Sequence, residues 1–244
     1  MKNAPDLTNI TVILNNPRYP ENIGAAARCC KNMGVNSLRL VNPERLDMEK
    51  IQKMATHEAL DIVEQMTIHE DIRGALEDLH FIVGTTARTG RKRRPTHSPR
   101  EVAAHVATFE PEIRAGLLFG SEKWGLSNED LDLCSSIAVI PTSKFSSINL
   151  AQSVMILCYE VFMAKSGCQV IHRPRPANFV EMEGMYNHLH GIFEQIGLFQ
   201  KQTPAYWMRN ARRLFNGKAI TAKDVKMVRG FLRQVSWALK NAGK

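Results

Sequence analysis

The chain has 244 residues, 44% hydrophobic and 23% charged, an ordinary globular composition that suits one core domain with an appendage. No run approaches the ~18 to 20 consecutive apolar residues of a membrane-spanning helix, and the N-terminal MKNAPDLTN carries no apolar signal region, so a soluble, cytoplasmic protein with no membrane partner is expected. Five cysteines, odd in number and without a C-x-x-C pair, and eight histidines without an H-E-x-x-H, speak against a disulfide framework and a zinc site; no metal is expected.

In chain order, residues 10–14 (ITVIL) read as a buried strand and residues 15–21, with Pro17 and Pro20, as a loop. Asn22 reads as the cap of a helix over 23–33 that stops at Gly34, and strand resumes over 37–41, making a βαβ unit. Gly24, Ala25, Ala26 and Ala27 give that helix a thin face, open to close approach by another backbone or by a cofactor. Residues 47–56 and 70–79 read as helices, the second with Ile72, Leu76 and Leu79 on one face. The next strand, 80–86, runs into ARTGRKRRPTHSP, where Arg88, Arg91, Lys92, Arg93 and Arg94 stand without an acid at a strand's carboxyl end. That edge is where ligands collect in an open α/β sheet, so these cations are candidates for phosphate binding rather than a merely solvated loop. Ser98 and Pro99 open another helix.

Residues 118–152 then read as strand, loop, helix, strand, loop, helix. The strands end at Gly120 and Pro141, and Ser127 with Asp130, then Ser147, act as helix-start signals. The alternation predicts an α/β protein with a mainly parallel sheet covered by helices on both faces. Neither G-x-G-x-x-G after a strand nor G-x-x-x-x-G-K is present, so a nucleoside ligand would be held in some other way.

A helix over 149–165 is followed by SGCQVIHRPRPANF, which reads as a linker, and the expected division is 1–166, a linker at 167–177, and an all-α extension at 178–244. Asn178 with Glu181, Thr203 with Pro204, and Thr221 with Asp224 open three helices. From Lys201 onward there are eleven Lys or Arg against one acid, Asp224, whereas the whole chain is only +8. The basic excess therefore sits in the tail, as for a polyanion-facing appendage. On the last helix Lys226, Arg229, Arg233, Trp237 and Lys240 share a face, suited to RNA phosphates and bases or simply to solvent.

The segments NPRYPENIGAAARCCKNMG, FGSEKWGL and IPTSKFSSINLAQ, in that order and each in a strand-loop-helix context, resemble the three motifs of the SpoU branch of the SPOUT RNA methyltransferases. Within that branch the chain looks most like the TrmJ-type tRNA (cytidine/uridine-2'-O)-methyltransferases. The resemblance implies a deep trefoil knot, S-adenosyl-L-methionine as cofactor, a homodimer, and tRNA as partner, with the pyrimidine at position 32 of the anticodon loop as target. Carried onto this sequence, it implies cofactor contacts at Thr85, Thr86, Ala87, Gly120, Ile140, Ser147 and Ile148. It likewise implies a catalytic set of Arg28, Asn22, Glu122, Ser147 and Asn149. Phe145 departs from the tyrosine common in relatives, and Ile148 from leucine. A ribosomal RNA ribose methyltransferase and a non-catalytic RNA-binding protein are the alternatives. RNA contacts are expected at Arg88, Arg91, Lys92, Arg93 and Arg94 and, in the tail, at Lys226, Arg229 and Arg233.

Overall fold

All six residues of β1 (Ile10–Asn15) are buried. Successive strand side chains point to opposite faces, so this strand is shielded on both sides, as a central strand of a parallel sheet must be. The computed structural model describes residues 5–88, 96–167, 174–200, 202–216 and 220–241. It divides into two units, Met1–His172 and Arg173–Lys244, each with its own apolar core.

In the first unit β1 leads into α1 (Pro20–Met33), β2 (Ser37–Val41), α2 (Met48–Ala55), α3 (Leu60–Gln65) and β3 (Thr67–His69). There follow β4 (Phe81–Thr85), α4 (Pro99–Ala107), β5 (Ala115–Phe119), α5 (Asn128–Leu133), β6 (Ser136–Ala138) and α6 (Leu150–Lys165). The strands form one sheet in the order β3-β2-β1-β5-β4-β6, with every neighbouring pair parallel. The expected α/β architecture is thus the observed one.

Local signals placed most helix starts. Ser98 and Glu101 form a reciprocal capping box on α4, and Ser127 and Asp130 form another on α5. Gly34 ends α1 in the left-handed conformation, φ 71°. The thin face of α1 packs on α2: a Cβ at Gly24 would lie 2.1 Å from the Ile51 carbonyl oxygen, so helix packing accounts for this glycine.

Three expectations are corrected. Asn22 does not cap α1; Pro20 at the first turn starts the helix three residues earlier, with Tyr19 as N-cap, and Asn22 is left for other bonds. The strand expected up to Ile140 ends at Ala138, because beyond it Val139 donates to the His97 carbonyl. Residues 70–79 do not form an α-helix: Asp71 accepts the Gly74 N–H, and only a 3₁₀ turn follows at Gly74–Leu76. Ion pairing fixes that segment instead. Asp78 takes two bonds from Arg39 of β2, at 2.6 and 2.9 Å, and one from Arg114 at 2.5 Å.

The second unit comprises α7 (Phe179–Gln195), α8 (Pro204–Phe215) and α9 (Ala222–Asn241). Its core is built on Met185, Tyr186, Leu189, Ile192, Val225 and Leu232. The Tyr186 hydroxyl donates to Asn216 at 2.5 Å, and Arg212 pairs with Glu183 while lying over the Tyr186 ring. The expected linker residues 168–173, and the expected stop of α8 at Gly217, lie outside the described residues. Among the described residues no helix is long and apolar enough to cross a membrane.

Two outcomes test this packing. Gly24→Ala forces a methyl against backbone and is expected to destabilise the fold by about 1–3 kcal/mol, read from chemical denaturation. Arg39, then Arg114, hold the Asp78 carboxyl well below its usual range. A carboxylate with a depressed folded pKa stabilises above its unfolded value, about 3.9, and loses that contribution as pH falls below it. Asp78→Asn is therefore expected to lower the melting temperature at pH 7, and the gap to the wild type is expected to narrow as pH drops from 5 toward 2.

Candidate active site

The loops that follow β4, β5 and β6 leave the same carboxyl edge of the sheet and enclose a cavity of about 290 Å³. Thr85, Thr86 and Ala87 line it from the end of β4, Gly120 from the end of β5, and Ile140, Ser147 and Ile148 from the segment after β6. Each threonine hydroxyl already makes one bond. Thr85 Oγ1 donates to the Leu118 carbonyl at 3.1 Å, and Thr86 Oγ1 accepts from the Arg88 N–H at 3.2 Å. Thr86 N–H in turn donates to Ala138 at 3.0 Å, which ties the β4 loop to β6. What these residues offer a ligand is therefore backbone and methyl surface together with the Thr86 O–H.

The loop after β5 is folded back on itself. A Cβ at Gly120 would lie 2.1 Å from the Gly125 carbonyl carbon and 2.2 Å from the Leu126 nitrogen, so no larger residue fits. Gly125 closes the turn at φ +65°, with its N–H on the Ser121 carbonyl at 2.8 Å. The Arg88 guanidinium then clamps the loop, donating to the carbonyls of Trp124 at 3.0 Å and Leu126 at 2.8 Å.

Glu122 reaches out of this loop to the start of α1. Its carboxylate accepts from the N–H of Arg18 at 2.9 Å, the N–H of Tyr19 at 3.4 Å and Asn22 Nδ2 at 2.8 Å. Asn22 Oδ1 accepts from Asn149 Nδ2 at 2.9 Å, and Asn149 Oδ1 caps α6 by accepting from the N–H groups of Ala151 and Gln152. The direction of the whole chain of bonds is fixed from one end. Two backbone donors require the Asn149 oxygen; its amide nitrogen must then meet the Asn22 oxygen, which leaves the Asn22 nitrogen for the carboxylate. Residues 22, 122 and 149 are thereby one unit, though only Glu122 lines the cavity.

Arg28 is exposed on α1 and, among the described residues, has neither an ion-pair nor a hydrogen-bond partner. Its neighbour Cys29 donates from Sγ to the Ala151 carbonyl at 3.4 Å, so this level of α1 lies against the first turn of α6, two residues from Asn149. Burial pushes the Cys29 thiol up to about 11, and its contact with Cys158 and burial push Cys30 up, as for inert packing thiols. Phe145 is 77% exposed and outside the cavity lining. Arg91, Lys92, Arg93 and Arg94 lie outside the described residues. In the tail, Lys226, Arg229, Arg233, Trp237 and Lys240 are all exposed on α9, while Val225 and Leu232 turn inward. Burial first, then Arg229 and Arg233, hold His188 of α7 below its ordinary value.

Sequence reasoning missed the clamp from Arg88, the backbone donors of residues 18 and 19, and the cavity-lining Lys123, Trp124 and Ser153. An uncommon tryptophan between Lys123 and Gly125 was the one available signal.

A parallel six-stranded sheet with a cavity between three carboxyl-edge loops, and an asparagine-glutamate relay joining two of those loops to α1, is the architecture of an α/β enzyme site. The model of the SpoU rRNA Methylase family matches residues 9–159, and that of the tRNA methyltransferase TrmJ C-terminal domain matches residues 180–244. The chain belongs to the SpoU family of methyltransferases. Within that family it is similar to TrmJ proteins along nearly its whole length. It is 33% identical over 236 residues to the tRNA (cytidine/uridine-2'-O-)-methyltransferase TrmJ of Pectobacterium atrosepticum, covering 94% of this chain and 97% of that one. The TrmJ of Escherichia coli O1:K1 / APEC is 32% identical over 237 residues, with 94% and 96% covered. The crystal structure of TrmJ from Z. mobilis ZM4 superposes with a TM-score of 0.81 at 30% identity, covering 93% of this chain and 98% of that one.

The relay predicts a separation of effects. Asn149→Ala removes both the cap and the bond to Asn22, and is expected to cost about 1 kcal/mol of stability as well as ligand binding. Asn149→Asp keeps a good cap but turns a carboxylate oxygen toward the Asn22 oxygen. Its melting temperature is expected near that of the wild type, with cofactor affinity reduced, as read by calorimetry and equilibrium dialysis.

Proposed function

We propose that this chain is a tRNA ribose 2'-O-methyltransferase that uses S-adenosylmethionine and acts as a homodimer on the pyrimidine at position 32 of the anticodon loop. What supports this most is that seven residues from three loops far apart in sequence, the candidate cofactor contacts, line one cavity. The substrate named for its TrmJ relatives points the same way. At about 290 Å³ the cavity is near the lower end of the range for small-ligand sites, and its mix of backbone, methyl and serine surface suits a nucleoside. The deep trefoil knot belongs to this reading through the family resemblance.

When bound, the cofactor supplies a methyl group on a sulfonium, transferred in line to the ribose 2'-oxygen without need of a metal. The protein's part is alignment and charge. Thr85 to Ala87, Gly120, Ile140 and Ile148 hold the adenosyl portion by backbone and methyl contact, and restraint of the two reacting groups supplies much of the rate. Ser147, whose hydroxyl has no partner among the described residues, is free to orient the ribose. Asn22, Glu122 and Asn149 act as positioning residues, because their polar atoms are committed to one another.

Arg28 is a cation available to the substrate. A guanidinium holds its proton above about pH 12 and, while charged, has no lone pair, so it is not the base. Its role is to grip the phosphate beside the target ribose and to stabilise negative charge as it develops on the 2'-oxygen, the proton leaving to solvent.

The test is methyl transfer from labelled S-adenosylmethionine to unmodified tRNA and, separately, ribosomal RNA, with the product mapped by its resistance to alkaline cleavage. Alkali-resistant label at position 32 of tRNA is expected. Arg28→Ala is expected to lower kcat/KM by about 10²-fold or more, and Arg28→Lys to keep part of the activity. Label confined to ribosomal RNA would change the substrate, and none in either would overturn the reading.

A further inference from the structure

Trp124 stands out among the cavity-lining residues. Its side chain is 71% exposed, although a tryptophan is ordinarily among the more buried of residues. The loop that displays it is held at several points: the Arg88 bond to the Trp124 carbonyl, the Trp124 N–H to Ser121 Oγ at 3.3 Å, and the Ser121–Gly125 bridge, under which Gly120 leaves no room for slack. The indole is therefore presented to solvent from a fixed backbone. One face carries the Lys123 ammonium, 4.6 Å from the ring centroid, and the other meets no ring or second cation among the described residues.

We infer that Trp124 is a stacking platform for a nucleobase of the substrate RNA at the mouth of the cofactor cavity, with Lys123 beside it for the adjoining phosphate. The inference rests on the methyltransferase reading above and adds to it a residue that sets RNA affinity. Every base offers a π-face, and a flat aromatic with a cation on its far side satisfies both the base and the charged backbone without reading sequence. A second copy of this chain covering the indole is the rival occupant. The indole's other face opens beside a cavity already lined by Ser147 and flanked by cationic Lys123, which suits a polyanion better than an apolar partner surface.

The experiment compares the full-length wild type with Trp124→Phe and Trp124→Ala. It follows methyl transfer to unmodified tRNA at saturating cofactor, cofactor affinity alone, and quenching of tryptophan fluorescence by tRNA. Stacking predicts that Trp124→Ala raises KM for tRNA by roughly 5- to 150-fold, corresponding to about 1–3 kcal/mol per stacked base, with kcat largely kept. Trp124→Phe is expected to recover much of that affinity while losing the part of the quenching that belongs to residue 124. Cofactor affinity and melting temperature are expected to stay at wild-type values in both variants.

An equal loss of cofactor and tRNA affinity would overturn the inference in favour of a cofactor contact. A fluorescence change of residue 124 that follows protein concentration without RNA would overturn it in favour of a contact between copies. Wild-type KM in Trp124→Ala, with the wild type active, would sink the inference and leave the methyltransferase reading intact. An inactive wild type would remove that reading instead, and residue-124 quenching by tRNA would then decide the stacking by itself.

Discussion

The site depends on one directed chain of hydrogen bonds, from the N-terminus of α6 through Asn149 and Asn22 to Glu122 and on to the backbone of residues 18 and 19. It joins the start of α1 to two later loops, at Glu122 and at Asn149, a hundred or more residues further along the chain. Each loop alone would be free to move, as segments joining strands and helices commonly are. Tied together, they fix the cavity wall at Gly120 to Gly125 relative to the helix that carries Arg28. The commitment at one end, two backbone donors on the Asn149 oxygen, is enough to orient every amide in the series, so the network has one arrangement rather than several.

The helix starts of the fold were legible because their signals are local. Ser98 with Glu101, Ser127 with Asp130, Asn178 with Glu181, and Thr221 with Asp224 each complete a cap within four residues. What failed depended on competing partners, most of them distant. Asn22 has the chemistry of a cap, but Pro20 starts α1 ahead of it and its side-chain amide is taken by Glu122, a hundred residues on. Residues 70–79 carry apolar residues at helical spacing, yet Asp71 and Gly74 form a turn and Asp78 is drawn to Arg39 and Arg114. Periodicity records which residues turn inward and is blind to such pulls.

The same limit applies to the site. The motifs named which residues to watch, and the sheet order explains why loops after β4, β5 and β6 meet, since β5, β4 and β6 are neighbours. Nothing in the run of arginines after β4 distinguished Arg88 from its followers. Its guanidinium is engaged with two carbonyls of the β5 loop, so it acts on the shape of the cavity wall. A cation's sequence neighbourhood gives its charge; the acceptors within reach decide whether that charge is available to a ligand.

Availability also explains the electrostatics of the arrangement. A carboxylate beside a site for a polyanion would repel it, and Glu122 is such a carboxylate. Three N–H donors surround it, two of them backbone groups at the start of α1, where the helix dipole favours negative charge. Its charge is thus answered within the protein without using a side-chain cation of the site. Arg28, further along the same helix, keeps its full charge facing solvent. Had Arg28 been used to neutralise Glu122, the site would have gained an ion pair and lost a cation that a phosphate could grip. Satisfying the acid with backbone and amide donors is what leaves the arginine free.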